Sequence, residues 1–305
     1  MFMNVVKQLL FVSLLCVFPP CSTAKEPYQI TDSFGKHWFD RPPERVVVTD
    51  WTLLENLLEL GVVPVGAPEI DHYRRFATQP AIPESVMDVG KRISPALATI
   101  RRLQPDVVIL GTKQKDLARA FSSFTNVNYY NSFSERYRTN GKKSRQRFLQ
   151  IAQMFQKTSL ANQKLAYLDQ RILELRNDLQ LYFVNDLPKV TTCRFGANES
   201  ILIYGYNSMP HYALQLLGID GEYEVEASTW GEESIRLNEL ASISEGYLVC
   251  FKPNDNQDIF QHPDWQALPA VINNQFYLTD PVWSYGGAMS VLYIAEAIAK
   301  TLMAQ

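Results

Sequence analysis

SLANQKLAYLDQRILELRNDLQLYFV, residues 159–184, contains no glycine or proline, and its apolar residues Leu160, Leu165, Leu168, Ile172, Leu175, Leu179 and Phe183 recur at steps of three to five. That spacing, in a stretch rich in Leu, Gln, Glu, Arg and Ala, predicts a single long helix. At 1.5 Å per residue such a helix is about 35–40 Å long, the width of a small domain. Ser159 stands at the expected N-cap, and Pro188 forbids continuation beyond the other end.

The sequence on either side reads as two separate α/β units. In the first half, residues 45–49 form a short apolar strand, followed by a helix over 51–60, a turn at Gly61, a strand over 62–65, a helix over 95–103, a strand over 106–110 and a helix over 117–124. In the second half, strands are expected at 189–193, 246–251 and 274–278, and helices at 211–217, 237–241 and 290–303. Strand and helix alternating at these lengths predict mainly parallel sheets covered by helices. The expected architecture is therefore two α/β lobes, residues 25–158 and 185–305, joined by one long backbone helix at 159–184.

The 305 residues are 46% hydrophobic and 20% charged with a formal net charge of −3, which suits a globular protein of one large or two medium domains. Basic residues are scattered and the isoelectric point is about 5.9, so no nucleic-acid partner is expected. At the N-terminus, Lys7 precedes an apolar run over residues 9–18, and Ser22, Thr23 and Ala24 supply small residues for cleavage. This pattern predicts a signal peptide over residues 1–24 and export to the periplasm of a Gram-negative cell. The run is too short for a comfortable bilayer span. Cys21 offers lipidation as an alternative, although Phe18, Pro19 and Pro20 suit that site poorly. Cys193 and Cys250 lie in strand-like runs whose spacing leaves both a disulfide and two buried thiols open.

Catalytic equipment is sparse: no nucleophile elbow, zinc-protease helix, phosphate-binding loop or dinucleotide fingerprint occurs. His37, His72, His211 and His262 are far apart and lack metal-ligand spacing, so no directly bound metal and no cofactor are expected. His72 lies nearest the predicted strand ends. In open parallel sheets ligands collect at the carboxyl ends of strands. Aromatic and cationic residues concentrate there: Trp51, Tyr73, Arg74, Arg75, Phe76, Arg92, Lys113, Arg194, Trp230, Trp283 and Tyr285. Aromatic walls cover apolar arms and guanidinium groups donate to oxygen, a combination suited to an oxygen-rich ligand.

The segments DWTLLENLLELGVVPVGAPEIDHYRRF and PAIPESVMDVGKRISPALATIRRLQPDVVIL resemble the periplasmic ferric-hydroxamate siderophore binding proteins, the FhuD-like members of the helical-backbone (class III) substrate-binding group. The likeness resumes at GYNSMPHYALQLLGI, TWGEESIRLNELASI, HPDWQALPAV and DPVWSYGGAMSVLYIAEAI, and so covers nearly the whole exported chain. It implies a monomeric two-lobed binder that holds a ferric siderophore in a shallow cleft and delivers it to an inner-membrane ABC permease and its ATPase. Iron would be held by the siderophore, not by protein side chains. The family's chelate-binding arginine falls on Arg92 and its pocket tryptophans on Trp230 and Trp283, with Tyr285 beside the latter.

Two departures stand out. Lys113 and Gln114 replace the family's tyrosine after the third strand, and the extra cation suggests a more anionic chelate such as a citrate-hydroxamate or an α-hydroxycarboxylate siderophore. Ala98 stands where some relatives carry a glutamate thought to face the importer. Binders of haem, cobalamin or a carboxylate siderophore share the fold, and an exported enzyme with an atypical site or an adhesive surface protein are readings from other classes.

Overall fold

Three consecutive buried valines, Val46–Val48, form the centre of the first sheet. The structure is a computed structural model that describes residues 26–196, 200–221, 225–243, 246–255 and 257–304. The predicted signal peptide, with Lys7, Cys16, Cys21 and Ala24, lies outside the described residues. Val46–Val48 pairs on one side with Gly66–Ala67, which is followed by Met87–Asp88, and on the other with Val107–Leu110, which is followed by Asn126–Tyr129. All four pairings are parallel. The strand expected at 62–65 forms later, because Val62 N bonds back to Leu57 O and Pro64 has no amide to donate.

The second sheet is mixed. Val190–Phe195 pairs in parallel with Tyr247–Phe251, and that strand pairs with Phe276–Thr279. On its other side lie the antiparallel strands Ser200–Tyr204 and Glu232–Arg236. Cys193 and Cys250 face each other in the parallel register, with Cα atoms 4.4 Å apart, and are joined as a disulfide. Of the two alternatives that the spacing allows, the structure has the bond.

The linking helix runs over Thr158–Tyr182, and its N-cap position is Lys157, without a side-chain cap bond. Ser159 therefore sits inside the first turn: the preceding helix, Asn140–Met154, ends close by and the chain reverses at Gln156 with φ 54°. Left-handed residues Val184 and Asn185 stop the other end before Pro188 is reached. Ala161 and Leu165 enter the core of the first lobe, whereas Leu168, Ile172, Leu175 and Leu179 enter that of the second. One amphipathic stripe is thus shared between two cores.

A second contact joins the lobes beneath the cleft. Helix Trp51–Glu59 is capped by Asp50, whose side chain accepts from Leu53 N. Its buried polar residues reach the segment leading into the C-terminal helix, Ser290–Met303. Thr52 Oγ1 donates to Tyr285 O at 2.7 Å, Gly287 N to Glu55 Oε2 at 2.5 Å and Ala288 N to Asn56 Oδ1 at 3.1 Å. The hydroxyls of Ser290 and Tyr293 donate to Glu55 and Glu59, and Lys164 Nζ reaches Glu59 Oε2 at 2.6 Å. The approach is so close that a Cβ at Gly286 would collide with Ser290 and Glu55, and one at Gly287 would sit 2.5 Å from Asn56 Oδ1. Glycine is required at both positions by space.

Burial raises the Glu55 carboxyl from its ordinary 4.5 to about 8, against the lowering effect of the bonds from Ser290 and Gly287. Its Oε1 has no hydrogen-bond partner. The folded state thus retains a proton that the unfolded chain releases, so this stabilisation is complete below pH 4.5 and is lost as the pH rises towards 8. Thermal melting is therefore expected to fall between about pH 5 and about pH 8, with a shallower fall in Glu55→Gln. Equal slopes in the two proteins would remove Glu55 from this role.

Candidate ligand-binding cleft

A cavity of about 400 Å³ opens between the two lobes. The first lobe contributes Trp51, Glu69, His72, Phe76 and Arg92, and the second contributes Arg194, Leu202, Trp283 and Tyr285. Most follow from strand ends. Trp51 comes just after Val46–Val48, Glu69 after Gly66–Ala67 and Arg92 after Met87–Asp88. Arg194 closes Val190–Phe195, and Trp283 and Tyr285 follow Phe276–Thr279. Parallel strands of both sheets thereby deliver side chains to one place. A larger groove of about 790 Å³ elsewhere is lined chiefly by cationic and polar side chains, including Arg136, Arg138, Lys142 and Lys143.

The walls are a continuous series of edge-on aromatic contacts. Trp51 meets Tyr73 at 5.7 Å and Trp283 at 4.7 Å, and Trp283 meets Phe76 at 6.3 Å and Tyr285 at 5.0 Å. Tyr285 continues to Trp230 at 5.7 Å, which packs on Phe133 at 5.2 Å. Trp51 Nε1 is anchored to Pro68 O at 2.8 Å. Such packing presents apolar surface in one orientation.

Arg92 lies across this wall, its guanidinium carbon 4.0 Å from the Trp51 ring centre and 5.2 Å from that of Trp283. Its Nε donates to Glu69 Oε2 at 2.7 Å and its backbone N to Glu69 Oε1 at 3.3 Å. Gln114 holds the backbone beneath: its Nε2 donates to Arg92 O and to Thr49 O, both at 2.8 Å, while its Oε1 accepts from Thr49 Oγ1 and Gly111 N. Asp50 is buried nearby, where desolvation raises its pKa and Arg92 draws it back down.

Arg194 is buried and occupied. Its guanidinium donates to Lys252 O at 2.9 Å, Val282 O at 2.6 Å, Ser284 Oγ at 3.1 Å and the Tyr204 hydroxyl at 3.3 Å. It braces the second wall more than it addresses the cavity. The Tyr285 hydroxyl donates to Glu232, whose carboxyl is pushed by burial to about 7 and pulled back by the charge of Arg194.

Of the predicted residues, Trp51, Phe76, Arg92, Arg194, Trp283 and Tyr285 line the cavity. Three do not. Tyr73 is fully buried behind Trp51 with its hydroxyl on Pro80 O, Trp230 extends the aromatic wall beyond the cavity lining, and Lys113 points to solvent from a left-handed position with φ 64°. Gln114, the neighbour of Lys113, faces inward instead. Glu69, Leu202 and Glu232 escaped sequence reasoning. Glu69 follows Ala67 and Pro68 at the second strand's carboxyl end and could have been found by the strand-end rule that found Trp51. Among the described residues no group of three or more His, Cys, Asp or Glu side chains could hold a metal ion.

Residues 46–282 match the family described as periplasmic binding protein. The chain belongs to the periplasmic binding protein family. This periplasmic binding protein is 25% identical over 267 residues to the iron(3+)-hydroxamate-binding protein FhuD of Escherichia coli (strain K12), covering 85% of this chain and 87% of that one. It is 24% identical over 300 residues to the Fe(3+) dicitrate-binding periplasmic protein FecB of the same organism, covering 95% and 92% respectively. Among solved structures it is similar to the Fe3+–Desferal-bound siderophore binding protein FhuD from Vibrio cholerae, at 39% identity and a TM-score of 0.83, covering 86% of this chain and 98% of that one. The two-lobed α/β fold with a long linking helix is the class III fold of these proteins.

The half-buried Glu232 carboxyl gives the cleft a spectroscopic marker. Carboxyl-labelled glutamate NMR is expected to show one resonance titrating near 7 that disappears in Glu232→Gln. Titration of that resonance in the ordinary carboxylate range would contradict its burial against Tyr285.

Proposed function

We propose that this protein captures a ferric hydroxamate siderophore in the cleft and delivers it to an inner-membrane ABC permease and its ATPase. The observation that carries this reading is Arg92: its Nε is held by Glu69 while the residue lines a cavity walled by Trp51, Trp283 and Tyr285. An iron already wrapped in six oxygens needs hydrogen-bond donors for those oxygens and apolar cover for its organic arms. Arg92 supplies the first and the aromatic wall the second. Iron itself receives no protein ligand. The names of the Escherichia coli and Vibrio cholerae relatives support the hydroxamate class.

A periplasmic setting agrees with the disulfide of Cys193 and Cys250, since such bonds persist in oxidising compartments. Among the described residues no helix is long and apolar enough to cross a membrane. Delivery without turnover requires only that the lobes shift modestly. The linking helix and the contact at Gly286 and Gly287 oppose a wide hinge motion. Similarity to the dicitrate-binding protein favours a second reading, a citrate-type ferric chelate held in the same cleft.

Tryptophan fluorescence separates these readings. A ferric trihydroxamate is expected to quench emission saturably, and Arg92→Ala to weaken binding by about tenfold or more, the worth of a charge-assisted hydrogen bond. Quenching by ferric dicitrate, haem or cobalamin in place of the hydroxamate would overturn the ligand class.

A further inference from the structure

The cationic groups of the cleft are already engaged within the protein. Two guanidinium groups line the cleft: Arg92 is paired with Glu69 at 2.7 Å, whereas Arg194 is taken up by carbonyl and hydroxyl oxygens, with Glu232 linked to it only through the Tyr285 and Tyr204 hydroxyls. Lys113, whose extra charge would have favoured an anionic chelate, is exposed outside the cavity lining. His72 is the remaining ionisable lining group. A cleft that collected polyanionic ferric citrates would need several free cationic donors; here the Arg194 guanidinium is taken up by carbonyl and hydroxyl oxygens and Arg92 is paired with Glu69.

Glu69 is the residue that sets this balance. It follows the second strand's carboxyl end in a left-handed conformation, φ 49° and ψ 50°, and 21% of its side chain remains exposed beside Arg92, of which 33% remains exposed. The guanidinium therefore keeps its hydrogen-bond donors for the chelate while its net charge is cancelled locally. A trihydroxamate loses one proton per hydroxamate, so its ferric core is neutral, and the overall charge of the complex is set by pendant groups. Once chelate oxygens cover the Arg92 guanidinium, the partly exposed Glu69 is the charge left to the pendant groups, so a pendant amine meets attraction and pendant carboxylates meet repulsion.

We propose that Glu69 is a charge filter: the cleft prefers cationic or neutral ferric trihydroxamates over anionic ones, including citrate-based hydroxamates, while Arg92 binds the shared iron core of all of them. This rests on the hydroxamate reading above and narrows it to a charge class. It also reverses the expectation attached to Lys113.

The test uses one iron core with three pendant charges: the ferric complex of a linear trihydroxamate ending in a free amine, its N-acetyl derivative and its N-succinyl derivative. Each is titrated by tryptophan fluorescence into the full exported protein and into Glu69→Gln, at low and physiological salt. For the unsubstituted protein, affinity is expected to fall from amine to acetyl to succinyl by about tenfold overall at low salt, and by less as salt screens the field. In Glu69→Gln the amide still accepts from Arg92, and the series is expected to flatten. The ratio between ligands is the readout, so a uniform loss of affinity from loosening Arg92 cancels. A flat series in the unsubstituted protein, or an unchanged slope in Glu69→Gln, overturns the filter and leaves the hydroxamate reading intact. No binding of any of the three overturns both.

Discussion

The contact of Glu55 and Asn56 with Gly286, Gly287 and Ala288 is the constraint on which the rest of the cleft depends. It joins the lobes at a distance that no side chain at the two glycines would permit. It also sets the binding walls, because Trp51 opens the helix that carries Glu55, and Trp283 and Tyr285 immediately precede Gly286. Closing this contact brings the two indoles to 4.7 Å. The linking helix acts in parallel, with Leu165 in one core and Leu168 in the other. Neither joint has a flexible spacer, so the cavity is formed before a ligand arrives, which lowers the ordering cost of binding.

Electrostatics follow the same economy of motion. Arg194 is buried and almost fully bonded to carbonyl and hydroxyl oxygens, so its role is to hold Tyr204, Ser284 and the Val282 carbonyl in place. Arg92 is anchored through its Nε and its backbone and lines the cavity. One arginine builds the wall and the other addresses the ligand. Glu69 offsets the charge of Arg92, and carbonyl and hydroxyl oxygens take up Arg194, which suits a neutral iron core wrapped in oxygens better than a polyanionic one.

Much of this was legible in the sequence where periodicity is strong. The linking helix shows its stripe over seven turns without a breaker, and the C-terminal helix over Ser290–Met303 coincides with its expected range. Helix Asn140–Met154 was missed because its exposed face, rich in Lys, Arg and Gln, dilutes the apolar signal. Strand Glu232–Arg236 was missed because only Ile235 is buried, as befits an edge strand. At the site, strand-end reasoning found Trp51, Arg92 and Trp283, but it could not orient neighbours. Tyr73 turns into the core while Phe76, three residues on, reaches the cavity, and Gln114 points inward where Lys113 does not. Glu69 carries no pattern in one dimension; its meaning comes from Arg92, twenty-three residues away in the chain and 2.7 Å away in space.

The most direct test of this account is a crystal structure of the protein with a bound ferric trihydroxamate. The account predicts iron coordinated only by siderophore oxygens, at least one terminal nitrogen of Arg92 within about 3 Å of those oxygens, and the organic arms against Trp51, Trp283 and Tyr285. A protein side chain ligating the iron, or a chelate seated away from Arg92, would contradict it.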